Sequence, residues 1–377
     1  MVGRPVPPPA AILSINSGSS SIKYAVSVGG DVVARHLIEI QADQDRGDAV
    51  AEVFAAVDEL GIALDAVGHR IVHGGPNLTE HVRIDAEVLA TLRSAIDFAP
   101  LHLPGALAAI DAVTGHDPDL AQVACLDTAF HRTLPEVAHR FALPASITDR
   151  GIRRYGFHGL SYEYIVATVG ADRLGRAVLA HLGSGASLAA VDGGVSIDTT
   201  MGLTPTGGIV MGTRTGDLDP GVLLHLLRTG VVDDLALARL VDHESGLLGL
   251  SGSTSDVRTL LTDRGSGDPA AALALAVFAY SVRKAVGALA AALGGIDTLV
   301  FTGGVGEHAP AVRAEIVAPL GFLGLTLDPE ANAAGGASTA GRISLPSPVP
   351  GAPTVLVVPT DEEAMIARHT TRLLALG

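Results

Sequence analysis

The sequence predicts an α/β protein in which one structural plan is laid down twice. Three observations carry that prediction. Apolar strand-like runs alternate with segments of helical periodicity, as in an α/β sheet. Two strand–Gly/Ser turn–strand hairpins, 12–26 and 178–191, stand roughly 165 residues apart and point to a duplicated domain. Three Gly-rich loops, 16–21, 183–186 and 303–307, each end a strand, which is where α/β sheets bind ligands.

The elements follow in order. The first hairpin carries six small polar residues, Asn16 to Ser21, which leave backbone N–H groups open to an anion. The same turn also reads as a plain solvated one; Lys23 beyond it adds a point charge. A third strand is expected over 32–40. A helix is expected over 49–60, with Val50, Val53, Phe54, Val57 and Leu60 on one face. The strand 66–73 delivers His69, Arg70 and His73 before Gly74-Gly75-Pro76. Helices over 85–98 and 103–113 flank Ala99-Pro100-Leu101-His102, and the strand 122–126 places Asp127 at its carboxyl end.

The second hairpin then repeats the first, with Leu182-Gly183-Ser184-Gly185 opposite Asn16-Ser17-Gly18-Ser19. Helices are expected over 236–241 and 270–293. The latter is interrupted by Arg283 and Lys284, so it reads as a buried helix, not a membrane span. The strand 298–302 runs into the 303–307 loop. The last strand, 354–359, leads to a terminal helix opened by Thr360, with Glu363 at capping-box spacing.

Composition excludes several function classes. In 377 residues, 48% are hydrophobic and 17% charged, an ordinary globular balance. A formal charge of −15 argues against nucleic acid and membrane surfaces as partners. One cysteine, Cys125, rules out an internal disulfide and a Cys-rich metal cluster, and fits a reducing cytoplasm. Set in QVACLDT, it reads as a small buried hydrophobe. The Pro-rich 1–10 stretch has no apolar core of signal-peptide length and reads as a loose tail.

The common nucleotide motifs are missing: no GxxxxGK[ST], no Rossmann GxGxxG after a strand, and no protein-kinase set. The three Gly-rich loops instead point to a nucleotide held by backbone in a cleft between two halves. Each loop taken singly also reads as structural. Arg70 and Arg214 sit in Gly-rich segments without helical charge partners, where a guanidinium can grip a carboxylate or phosphoryl group. Asp127, ending a strand, is a sharper acid candidate than Glu362 or Glu363, which a helix N-terminus favours anyway. His158, in RYGFHGLS, fits a ligand-facing loop, and no HExxH spacing occurs.

Taken together, INSGSSSIKY, HRIVHGG, APLH, LDTAFH, YGFHGLS, AHLGSGAS, DTTMGLTPTGG, MGTRTGDLDP, SDVR, FTGGVGEH and TDEEAMIAR resemble the acetate kinase family, over about residues 12–368. The resemblance implies a duplicated actin-like ATPase fold, with a nucleotide cleft between ribonuclease H-like domains. Residues 1–131 plus 364–377 would form one domain and 132–363 the other, nucleotide-binding one. By position, it implies catalytic roles for Asp127, His158, Arg70 and Arg214, and acetate contacts from Arg70, Val72, Leu101, Phe157 and Pro205. Nucleotide contacts would come from Lys23, from His181, Leu182, Gly183, Ser184 and Gly185, from Asp256, Val257 and Arg258, and from Gly304, Val305, Gly306, Glu307 and His308. Asn16 and Glu362 would ligate Mg2+, with Mn2+ as a substitute, and ATP/ADP would be the co-substrate. A cytoplasmic homodimer is also implied.

Three residues depart from the family pattern. Ser184 and His308 replace asparagines in the nucleotide segments, and Leu103 replaces another in APLHNP. The expected reaction is in-line transfer of the ATP γ-phosphoryl to acetate, reversibly giving acetyl phosphate and ADP. Acetate is already ionised at neutral pH and needs no base to become a nucleophile. Asp127 is therefore expected to orient the arginines or the metal. A propionate or butyrate kinase is the near alternative, because one methylene discriminates by only about 1–3 kcal/mol. An actin- or Hsp70-like ATP-dependent binding module is the far one.

Overall fold

The computed structural model describes residues 9–18, 21–39, 46–346, 349 and 351–376. Ser19 and Ser20 of the first turn, Ile40, and the Pro-rich tail up to Pro8 lie outside the described residues. The chain divides into two compact units, Met1–Arg132 with Gly159–Tyr164 and Asp361–Gly377, and Thr133–His158 with Ile165–Thr360.

In the first unit β1 (Ala11–Ser17), β2 (Ser21–Val28) and β3 (Asp31–Glu39) form an antiparallel meander. β4 (Ala66–Ile71) and β6 (Ala121–Leu126) extend it in parallel, and the two-residue β5 (Val82–Arg83) closes the edge in the order β3-β2-β1-β4-β6-β5. The second unit repeats the plan. β7 (Arg176–Leu182), β8 (Ala186–Asp192) and β9 (Val195–Thr199) form the meander. β10 (Thr298–Thr302) and β11 (Thr354–Val357) add the parallel strands, in the order β11-β10-β7-β8-β9. Even the pairing irregularity recurs, between Val26 and Ser27 in one meander and between Ala190 and Val191 in the other. The expected duplicated α/β architecture of the actin-like ATPase class is the observed one.

Strand periodicity decides which side chains meet. Successive residues of β1 point to opposite faces. Leu13 and Ile15 join a core with Val50, Val53, Phe54 and Val57 of the helix Arg46–Glu59 and with Ala109 and Val113 of the helix Leu103–His116. Leu60, expected on that helical face, lies past the helix end and is 44% exposed. Ile12 faces the other way and packs on Ala66 and Ala367. That face is covered by the terminal helix Glu362–Leu373, whose Met365 and Ile366 pack on Val123, Cys125 and Leu160. Cys125 is buried there, and burial pushes its thiol far above its ordinary range.

The terminal helix is capped by Asp361, which accepts from the Ala364 amide at 2.9 Å, and not by Thr360 as the spacing predicts. Asp361 also takes Arg35 Nη2 at 2.5 Å, so its carboxylate ties the helix start to β3. The helix 270–293 is one 25-residue element, Pro269–Leu293, capped by Asp268. By length and composition it could cross a membrane. One face of it, including Ala274, Leu275, Phe278, Val282 and Val286, is buried within the second unit.

Gly68 lets the terminal helix approach β4. A Cβ there would sit 2.3 Å from Thr370 Oγ1 and 2.4 Å from Ile366 Cγ2. Gly68→Val is therefore expected to destabilise the protein by about 2 kcal/mol or more through overpacking. Equilibrium urea denaturation measures this, and an unchanged midpoint would contradict the packing described.

Candidate active site

Three parallel strands of the first unit end side by side, and their last inward positions carry the polar residues. Asn16 follows Ile12 and Ser14 on the face under the terminal helix, where Ser14 Oγ donates to the Glu363 carbonyl at 2.9 Å. Arg70 follows Ala66 and Gly68 on that face of β4, and Asp127 follows Val123 and Cys125 on β6. Pairing sets Ile15 level with His69 and Arg70 level with Cys125, so these positions converge. The first turn of the terminal helix adds Glu362 and Glu363.

The resulting contacts are direct. Arg70 donates to Asp127 Oδ2 from Nη2 at 2.6 Å and from Nε at 3.0 Å, and from Nη1 to Asn16 Oδ1 at 3.1 Å. Asn16 Nδ2 donates to Glu362 Oε2 at 3.0 Å, which lies 3.6 Å from Arg70 Nε. The Asp127 side chain is fully buried, and its Oδ1 has no hydrogen-bond partner among the described residues. Burial pushes Asp127 above the usual carboxylate range, to about 6, while the Arg70 charge opposes the shift. Burial also works against the Arg70 charge, but Asp127 and Glu362 hold its pKa above the ordinary arginine value. An orphaned buried carboxylate oxygen beside further carboxylates and an amide is a hard-oxygen set, the donor chemistry that Mg2+ takes. The residues fit such an ion. Lys23 is exposed and lies opposite Asn16 across the hairpin. Val72 is buried and Leu101 is 39% exposed in the same unit.

The second unit gathers another set. His158 adopts a left-handed backbone, φ 60°, which for a non-glycine residue marks a position held by its surroundings. Its ring stacks on His181 at 4.2 Å between centroids, and its Nδ1 lies 2.8 Å from Ser187 Oγ. A Cβ built on Gly185 would lie 3.3 Å from Arg214 Nη1 and 3.5 Å from His158 Nε2, so the loop, the arginine and the histidine converge. Arg214 Nη1 also donates to the Pro205 carbonyl at 3.1 Å. Phe157, next to His158, is buried.

The candidate nucleotide segments lie close to one another in this unit. Exposed Ser184 accepts from the Gly212 amide at 3.0 Å, and Gly212 packs against Ser255. Asp256 caps the helix Val257–Gly265, and the exposed Arg258 folds back on it at 2.6 Å. The expected loop 303–307 is instead a short helix, Gly303–His308. Its glycines do not prevent this, because Gly303 enters at φ 76° and its amide is capped by Glu307 Oε1 at 2.8 Å. A Cβ on Gly303 would meet the Leu182 carbonyl at 2.8 Å, which seats this helix on the end of β7. Glu307 also accepts from the Thr360 amide at 3.2 Å, so its carboxylate clasps two strand ends. His308 is exposed.

Residue patterns alone give no sign of the Ser187 partner or of the Arg35–Asp361 tie. They also miss a trio in the first unit, His81, Glu163 and His369, whose ligand atoms lie within 4.8 Å of one another. His81 Nδ1 accepts from the Leu126 amide at 3.0 Å, and His369 Nδ1 faces Arg372 Nη2 at 3.2 Å. These donors leave each ring proton on Nε2, directed at Glu163 from 3.3 and 2.5 Å. A metal would need those Nε2 lone pairs bare. The trio is a hydrogen-bonded tie. Burial alone would raise the Glu163 pKa, but the bonds from His369 and His81 outweigh it and hold the carboxyl at about 2.

The duplicated sheets, with polar side chains gathered where their parallel strands end, are the architecture of the actin-like ATPase class. The chain belongs to the acetokinase family, whose model matches residues 35–368. It is 44% identical to an acetate kinase of Rhodopseudomonas palustris over 96% of this chain and 98% of that one. It is also 44% identical to an acetate kinase of Deinococcus radiodurans, over 95% and 96% of the two chains. Among solved structures, the Porphyromonas gingivalis acetate kinase superposes with a TM-score of 0.84 at 37% identity, covering 97% of this chain and 100% of that one. A propionate kinase from Francisella tularensis superposes at 0.86 with 32% identity, covering 95% and 98%.

The Glu163 tie has a pH signature. The folded carboxyl, at about 2, lies below its ordinary value of 4.5, so its contribution is complete above pH 4.5 and is lost as pH falls toward 2. The stability difference between wild type and Glu163→Gln is expected to shrink from about pH 5 to about pH 3. Urea midpoints across that range measure it; a constant difference would contradict the tie.

Proposed function

We propose that the chain is an acetate kinase, which transfers the ATP γ-phosphoryl to acetate and gives acetyl phosphate and ADP reversibly. One observation carries the reading: a guanidinium, Arg70, fixed by a fully buried aspartate at the end of a parallel strand, beside Asn16 and Glu362. Its relatives named acetate kinase support the choice of acceptor.

In this reading Arg70 binds the acetate carboxylate, and Val72, Leu101, Phe157 and Pro205 are assigned to its methyl. One carboxylate oxygen forms the new bond to the γ-phosphorus, and the electrons of the breaking bond leave on the ADP β-phosphate. No proton moves, because acetate is already an anion. Asp127 keeps the Arg70 fork oriented and balances its charge. Arg214 and His158 supply donors to the equatorial oxygens of the transferring phosphoryl group, where charge is stabilised by positioning. Lys23 and the segments 181–185, 256–258 and 304–308 hold the nucleotide. Glu362 and Asn16, with Asp127 behind them, would hold Mg2+ or Mn2+, which neutralises phosphate charge when bound.

The reading includes a cytoplasmic enzyme that acts as a homodimer. Two amphipathic helices of the second unit, Pro220–Arg228 and Asp234–His243, have no buried residues. They and the connection between them leave Leu224, Leu227, Val231 and Leu235 exposed, which supports a second copy as their cover.

Two outcomes follow. Arg214→Ala is expected to lower kcat on the order of a hundredfold to a thousandfold while the protein stays folded. Near-normal turnover would sink the assignment, and kcat/KM for acetate, propionate and butyrate ranks the acceptors. Leu235→Asp is expected to convert the dimer to monomer in sedimentation velocity; an unchanged mass would place the interface elsewhere.

A further inference from the structure

Arg313, on the helix Pro310–Val317, is the largest fully buried side chain among the described residues, at 1% exposure. An arginine so buried is normally matched by a carboxylate, since an isolated charge is costly in the interior. Arg313 has no carboxylate partner among the described residues, and every bond it makes is to a neutral acceptor. Nη1 donates at 2.8 Å to the Gly306 carbonyl and at 2.8 Å to the Glu307 carbonyl. Nε donates to Asn332 Oδ1 at 2.8 Å and Nη2 to the Asn332 carbonyl at 2.5 Å. Asn332 in turn donates from Nδ2 to the Pro310 carbonyl at 2.9 Å.

Two of the carbonyls so gripped, those of Gly306 and Glu307, belong to the last turn of the Gly303–His308 helix. Helix carbonyls at a C-terminus lack partners and carry the negative end of the dipole. A fixed cation there satisfies them and stabilises a six-residue helix rich in glycine, which propensity alone would leave unformed. The other end of the helix is closed by Glu307 on the Gly303 amide. Arg313 and Glu307 therefore hold the same short helix from opposite ends.

We propose that Arg313 is a positioning residue for the nucleotide: its buried guanidinium fixes the backbone of Gly304–His308 in the shape that receives ATP. The proposal rests on the reading of that segment as a nucleotide contact. Arg313 is not among the residues that the reading assigns to acetate, so the two substrates should respond differently. In full-length enzyme, Arg313→Lys keeps the charge but loses the fork, and Arg313→Met removes both. Both variants should raise KM for ATP about tenfold or more, with KM for acetate unchanged and kcat within about twofold. Both should also speed amide exchange at 303–308 in the nucleotide-free protein.

Arg313→Lys guards against the failure of Arg313→Met to fold. Equal changes in both KM values, or unaltered exchange at 303–308 in Arg313→Lys, would overturn the proposal. ADP should slow exchange at 303–308 in the wild-type enzyme. If ADP protects other segments but not this one, the nucleotide reading of the segment fails, and the positioning role with it. If ADP protects 303–308 and Arg313→Lys leaves KM for ATP unchanged, only the positioning role fails.

Discussion

The pair between Arg70 and Asp127 is the interaction on which the rest of the first unit depends. A carboxylate with no solvent exposure would be expelled from such a position unless a cation met it there. The guanidinium meets it twice and still has Nη1 left for Asn16. The pair thus spends only part of the fork on Asp127. An anionic substrate needs a guanidinium that is already oriented, and a buried carboxylate orients it without wandering.

That geometry descends from strand parity. Asn16, Arg70 and Asp127 share a face because each lies an even number of residues beyond a side chain packed under the terminal helix. The helix reaches that face because Gly68 has no Cβ, and its first turn then delivers Glu362. The second unit reuses the same meander and parallel strands but ends them differently. There, a short helix follows β10 in place of an acid, with Gly303 against Leu182 at its start. One plan yields a carboxylate-and-guanidinium end in one unit and a backbone-rich end in the other.

Much of this was legible from residues. The two hairpins, the strand that presents Arg70 and the strand that ends at Asp127 follow from apolar runs broken by Gly, Ser and Pro. Helix starts were less legible: Thr360 with Glu363 has capping spacing, yet the helix begins at Glu362, so Asp361, also bonded to Arg35, is its cap. The 303–307 segment reads as a loop because glycine propensity is a local quantity, whereas Arg313 and the bond from the Thr360 amide to Glu307 hold the helix from outside it. Asn16 and Glu362 are 346 residues apart, and no local pattern links them. Only the resemblance paired them, and the fold shows the hydrogen bond.

The central claim is that this chain carries phosphoryl from ATP to acetate. Incubating it with ATP, Mg2+, hydroxylamine and acetate tests that directly, because hydroxylamine traps acetyl phosphate as the hydroxamate. The account predicts one hydroxamate for each ADP formed, and neither without acetate. ADP release that is slow and indifferent to acetate, with no hydroxamate, would contradict it.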